Sequence, residues 1–155
     1  MTRDEILGKV IPADGYGGDV SEQDAWALLQ ADANSHLVDV RTRAEWSFVG
    51  LPDLDSLNRE IGLIEWVSFP DMSANIGFQE QLAEFLRTQQ SGEDDVVMFL
   101  CRSGQRSIGA AKAATAMGYK HALNILGGFE GDADAAGHRA TVNGWKVAGL
   151  PWKQA

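Results

Sequence analysis

Two rhythms of apolar residues run through this chain, and they divide it into strands and helices. VVMFL, Val96 to Leu100, is an unbroken apolar run of the kind that a strand covered on both faces requires. HLVDV, His36 to Val40, is a second compact run, interrupted by Asp39 near its end, as expected of a buried strand that delivers a polar group to the edge of a sheet. ALNIL, Ala122 to Leu126, reads as a third strand, and IGLIEWVSF alternates in part, predicting another through Ile64, Trp66 and Val67. Against these stands the helical rhythm. Phe78, Leu82, Phe85 and Leu86 form one face of a helix ending near Gly92. In SEQDAWALLQ, Ser21 is placed to cap a helix with Asp24 at the capping-box spacing, and Trp26, Leu28 and Leu29 supply its apolar stripe. Ser107 to Met117 is rich in alanine and closes at Gly118, a residue suited to a left-handed helix stop.

Strands that alternate with helices predict an α/β domain, with a central, mainly parallel sheet and helices on both faces. The glycine-rich ADGYGGD marks residues 1–18 as an irregular N-terminal extension to a domain over 19–155. DADAAGHRATVN, Asp132 to Asn143, lacks a period and reads as a loop insertion, after which Trp145 and Trp152 anchor the C-terminus.

Composition narrows the function. A length of 155 residues suits one core, and a formal charge of -9 opposes nucleic acid or an anionic membrane as partner. Any bound anion needs a local cationic pocket. The N-terminus has no sustained apolar run after its basic residue, and no segment reaches the roughly 18 apolar residues of a membrane helix. The single cysteine, Cys101, cannot form an internal disulfide and points to a reducing cytoplasm.

That cysteine stands at the carboxyl end of the Val96–Leu100 strand, in CRSGQRS, just before a helix. Ligands of open α/β sheets gather there, and the free N–H groups of the loop and first helical turn can cradle an anion. Gly104 permits the tight turn. A thiol of pKa about 8.5 is only about 3% thiolate at neutral pH, whereas a fall of roughly two units makes it about 75%. Such a fall is about 2.7 kcal/mol, more than the roughly 0.3 to 2 kcal/mol of a helix terminus alone, so loop amides or an arginine must contribute. The expectation is a charged, exposed sulfur.

The stretch VVMFLCRSGQRSIGAA resembles the active-site loop of the rhodanese family. HLVDVRTRAEW is similar to the family's first strand segment, YKHALNILGGFEG to its later strand with a Gly-Gly turn, and GW…GLPW to its close. The likeness spans about Asp19 to Trp152. VGLPDL departs from it by lacking the histidine of the family's Gly-His-Ile-Pro segment. The resemblance implies a sulfurtransferase that moves a sulfane sulfur from thiosulfate or a persulfide donor through a Cys101 persulfide to cyanide, a thiol or a partner protein, with no cofactor. A sulfur-carrier or regulatory binding module with little free turnover is the alternative. Arg102 and Arg106 would hold substrate oxygens or balance the persulfide, Ser103, Gly104 and Gln105 would complete the substrate loop, and Ser107 would cap the helix. Asp39 and Arg41 would support the loop from the neighbouring strand. The six residues from Cys101 to Arg106 match the family's sulfurtransferases, whereas related phosphatases carry one more.

Other features read as structural. Arg43 suits a solvated face, a reading open to Arg41 and Glu45 as well, and His138 with Asp132 and Asp134 fits no zinc-ligand spacing, so no metal is expected.

Overall fold

A computed structural model describes residues 1–68 and 70–154. The chain begins with helix α1 (Arg3–Leu7), strands β1 (Ile11–Ala13) and β2 (Tyr16–Val20), and helix α2 (Glu22–Ala31). Strand β3 (His36–Asp39), helix α3 (Arg43–Phe48) and the short strands β4 (Leu51–Pro52), β5 (Gly62–Leu63), β6 (Val67–Ser68) and β7 (Ser73–Ala74) follow. Helix α4 (Phe78–Thr88), strand β8 (Val96–Leu100), helix α5 (Arg106–Ala116), strand β9 (His121–Ile125) and strand β10 (Trp152–Lys153) complete it.

The main sheet runs β1-β2-β9-β8-β3-β5, with β1 antiparallel to β2 and every other pairing parallel. Side-chain alternation along β8 divides the core in two. Val96, Met98 and Leu100 face the layer of α1 and α2, with Ile6, Ala25, Leu28 and Trp145. Val97, Phe99 and Cys101 face the layer of α4 and α5, with Leu82, Leu86, Ala110 and Ala114. The small residues of α5 let it lie close against the sheet, and this brings its N-terminus over the end of β8.

Several expectations change. Residues 1–18 are not an irregular extension: Thr2 and Glu5 form a capping box for α1, and the glycines of β2 sit in the sheet, where a Cβ on Gly17 would lie 2.9 Å from the Ala122 carbonyl oxygen. The segment through Ile64, Trp66 and Val67 is not one strand. It contributes β5 to the main sheet and β6 to a separate hairpin with β7, with Ile64 bonded to the Asp39 carbonyl between them; Phe69 lies outside the described residues. Ser21 caps α2 through the Asp24 amide at 3.1 Å, and Asp132 to Asn143 is irregular as expected. Trp145 is buried and donates its indole N–H to the Pro151 carbonyl, whereas Trp152 is exposed in β10, paired with β4. Among the described residues, no helix is long and apolar enough to cross a membrane.

Candidate active site

β8 ends at Leu100, the loop Cys101–Gln105 turns over the end of the sheet, and α5 starts at Arg106. The turn depends on Gly104, whose φ is +99° and whose place a Cβ would fill 2.2 Å from the Leu126 carbonyl oxygen. With the loop folded this way, the Gly104 amide donates to Cys101 Sγ at 3.1 Å. Ser107 Oγ lies 3.1 Å from the same sulfur. No side chain caps α5 and no acidic residue occupies its first turn, so the partial positive charge of that helix end is left facing the loop.

The sulfur is not exposed. Cys101 is 1% accessible, closed beneath its own loop and backed by the apolar layer under α5. The loop's outward residues form the rim instead: Arg102 and Gln105 are exposed and Ser103 is half-buried. Only Gly104 among the loop amides is bonded to the sulfur among the described residues.

Two further expectations are corrected. Ser107 does not cap α5; the helix begins one residue earlier, and the Ser107 hydroxyl turns inward to Cys101 and to Asn124 Oδ1 on β9. Arg106 is paired, its Nη1 and Nη2 donating to the two carboxylate oxygens of Glu45 at 2.7 and 2.9 Å. Glu45 is thus part of the site rather than of a solvated face, and Thr42 and Glu45 also close a capping box that fixes α3. Arg43 does lie exposed. Burial opposes the Arg106 charge, but the Glu45 hydrogen bonds and the negative charges of Glu45 and Asp39 outweigh it and hold the guanidinium protonated.

Burial likewise pushes the Glu45 carboxyl up, while Arg106 and Thr42 pull it down further, leaving it below its ordinary value of 4.5. A depressed carboxylate stabilises the fold above its unfolded pKa and ceases to do so as pH falls through the folded one. Wild-type protein is therefore expected to melt higher than Glu45→Gln at neutral pH, and the gap in melting temperature is expected to close as the pH falls below the ordinary value of 4.5 and through the depressed folded one. A gap that is constant with pH would show that the pair contributes nothing through its charge.

Asp39 and Arg41 form a fully buried pair, Arg41 Nε and Nη2 meeting both carboxylate oxygens, with the shortest contact at 2.6 Å. Arg41 Nη2 also donates to the Gly50 carbonyl at 2.7 Å, and its guanidinium lies 4.2 Å from the centroid of the Phe129 ring. Phe129 in turn donates its amide to the Cys101 carbonyl at 2.8 Å. The Gly-Gly turn packs equally close, for a Cβ on Gly128 would lie 2.4 Å from that carbonyl oxygen. Glu22 accepts from the Gly127 amide, and the amides of Glu130 and Gly131 donate to the Arg102 carbonyl, so the base of the Asp132–Asn143 loop is tied to the active loop.

Behind the sulfur runs a polar row that the sequence did not single out. Asn124 Nδ2 donates to Asp19 Oδ1 at 3.0 Å, and the Tyr16 hydroxyl donates to the same oxygen at 2.8 Å. Desolvation, then the hydrogen bond and charge of Asp19, push the Tyr16 pKa up to about 12. The parallel register of β2 and β9, which sets Asp19 beside Asn124, brings these groups together.

Comparison with known proteins agrees with this arrangement. The Rhodanese-like domain family model matches residues 21–135. The chain belongs to the rhodanese-like family. The crystal structure of Rv0390 from M. tuberculosis superposes with a TM-score of 0.80 and 45% identity, covering 90% of this rhodanese-like chain and 99% of that one. Uncharacterized protein RC0915 of Rickettsia conorii and a protein of the dnaA 5' region of Rickettsia montanensis are each 39% identical over 129 residues, 83% of this chain and 91% of theirs. Membership of this rhodanese-like family supports a sulfur-related role in general terms.

Proposed function

We propose that the protein is a sulfurtransferase whose nucleophile is Cys101, working without a cofactor in a reducing cytoplasm. The observation that carries this reading is one sulfur held by the Gly104 amide at the uncapped N-terminus of α5, with the Arg106 charge beside it. In the first half-reaction the Cys101 thiolate attacks the outer sulfur of thiosulfate, the donor S–S bond breaks and sulfite departs with the electron pair. In the second, an acceptor such as cyanide or a thiolate attacks the outer sulfur of the persulfide and Cys101 leaves as thiolate. Neither step has a net oxidant or reductant, and neither needs a general base once the thiol is ionised. Arg102, at the rim, is the cation available to a donor's oxygens; Arg106 acts through its charge, with its guanidinium oriented by Glu45.

The sulfur has a direct check. Iodoacetamide is expected to alkylate the native protein at Cys101 and to leave Cys101→Ser unlabelled, as read by intact mass. A folded wild-type protein that takes no label would contradict a reactive sulfur at this position.

The closed position of the sulfur favours a second reading, a carrier that takes a persulfide from a protein donor and passes it to an acceptor protein with little free turnover. Turnover with thiosulfate and cyanide, set beside single-turnover transfer from a cysteine desulfurase, separates the two. Fast turnover with the small anions supports the enzyme, while fast transfer from the protein donor alone supports the carrier. Loss of an aryl-phosphatase activity on replacing Cys101 would overturn both.

A further inference from the structure

The Ser107 hydroxyl has one proton and two neighbours that could take it, Cys101 Sγ and Asn124 Oδ1. Which neighbour receives it is decided two residues away. Tyr16 and Asn124 both direct hydrogens at Asp19 Oδ1, and a carboxylate only accepts, so the Asn124 amide must turn its NH2 group toward Asp19. Its Oδ1 then faces α5 and needs a donor, because Asn124 is buried. The Ser107 hydroxyl is the donor in reach. With its proton spent there, Ser107 offers Cys101 only a lone pair, an arrangement that suits an S–H group and opposes a bare thiolate.

We propose that Asp19 and Asn124 are positioning residues that govern the protonation of Cys101 by claiming the Ser107 proton. In the closed site Ser107 accepts a hydrogen bond from the thiol. Ionisation requires the hydroxyl to rotate onto the sulfur, which leaves Asn124 Oδ1 without its donor in a buried position. The row therefore opposes the groups that favour the thiolate. Those are the Gly104 amide, the N-terminus of α5 and the charge of Arg106, whose partner is Glu45, with Arg102 at the rim. The Asp39 carboxylate at the tip of β3 is already paired with Arg41. The balance gives a thiol that is guarded at rest and releases its proton when one hydroxyl turns.

This inference rests on Cys101 as the reacting sulfur, but its readout uses no sulfur donor, so its failure and a failure of sulfur transfer are told apart. The measurement is the pH midpoint of iodoacetamide alkylation in wild type, Asn124→Ala, Asp19→Asn, Ser107→Ala, and each of the first two combined with Ser107→Ala. Asn124→Ala removes the competing acceptor. Asp19→Asn is isosteric and lets Asn124 present its NH2 group to Ser107, so it keeps the test alive if Asn124→Ala does not fold. Each is expected to lower the midpoint by about one pH unit, the worth of one buried hydrogen bond. Neither is expected to move it once Ser107 is alanine. A through-space effect of the Asp19 charge would survive Ser107→Ala, and a merely structural role would leave every midpoint where it was; either result would overturn the proposal.

Discussion

Cys101→Ser is expected to lose sulfur transfer from thiosulfate to cyanide down to the uncatalysed background, a fall of at least about a thousandfold, while keeping the fold and its melting temperature nearly unchanged. The reason is chemical rather than structural. Serine is close to isosteric, and its hydroxyl can accept from the Gly104 amide and meet Ser107 much as the thiol does. It is not ionised near neutral pH and cannot form a persulfide. The stability readout matters because Cys101 is part of the apolar layer under α5, so a bulkier or charged replacement would mix loss of chemistry with loss of packing. Residual activity above background in a well-folded Cys101→Ser protein would mean that the reacting sulfur is not carried here.

The largest effect on stability is expected from Asp39→Ala. It strands the Arg41 guanidinium, which has 0% exposure, with only the Gly50 carbonyl and the Phe129 ring as partners; Arg41 Nη1 has no hydrogen-bond partner among the described residues even in the intact pair. An unpaired buried cation costs about 3–5 kcal/mol, against a total stability of roughly 5–15 kcal/mol for a domain. The melting temperature is expected to fall by on the order of 10 °C. Because the same pair reaches the active loop through Phe129 and the Cys101 carbonyl, sulfur transfer should fall as well. Replacing both partners, Asp39→Ala with Arg41→Met, removes the stranded charge and is expected to recover much of the stability. A single variant as stable as the wild type would show that the pair is energetically neutral and that the loop is held by backbone contacts alone.

Local rules made the centre of this site legible. An unbroken apolar run, a glycine turn and an alanine-rich helix place Cys101 at a strand end before any tertiary contact is known. The parts that were not legible depend on contacts between distant residues. Glu45 meets Arg106 across 61 positions and Asn124 meets Asp19 across 105, and in sequence each looks like an ordinary polar residue of a helix or strand. Ser107 looked like a cap because serine favours that position, but the helix starts one residue earlier and its first turn faces the sheet. The strand through Ile64 to Val67 was overextended because the alternation of apolar residues carries no information about partners. Here β5 finds one in β3, while β6 pairs with β7 outside the main sheet. Exposure of the sulfur was misjudged for a related reason. The loop that supplies the donor to Sγ also covers it.

Sulfur transfer through this site requires that the one sulfur of Cys101 accept a second. Intact-mass measurement of purified, reduced protein after incubation with thiosulfate tests it most directly. The expected result is a gain of one sulfur atom, mapped by peptide fragmentation to Cys101, released on adding cyanide and absent from Cys101→Ser. An unchanged mass with thiosulfate and with a protein persulfide donor alike, or an added sulfur that persists in Cys101→Ser, would contradict it.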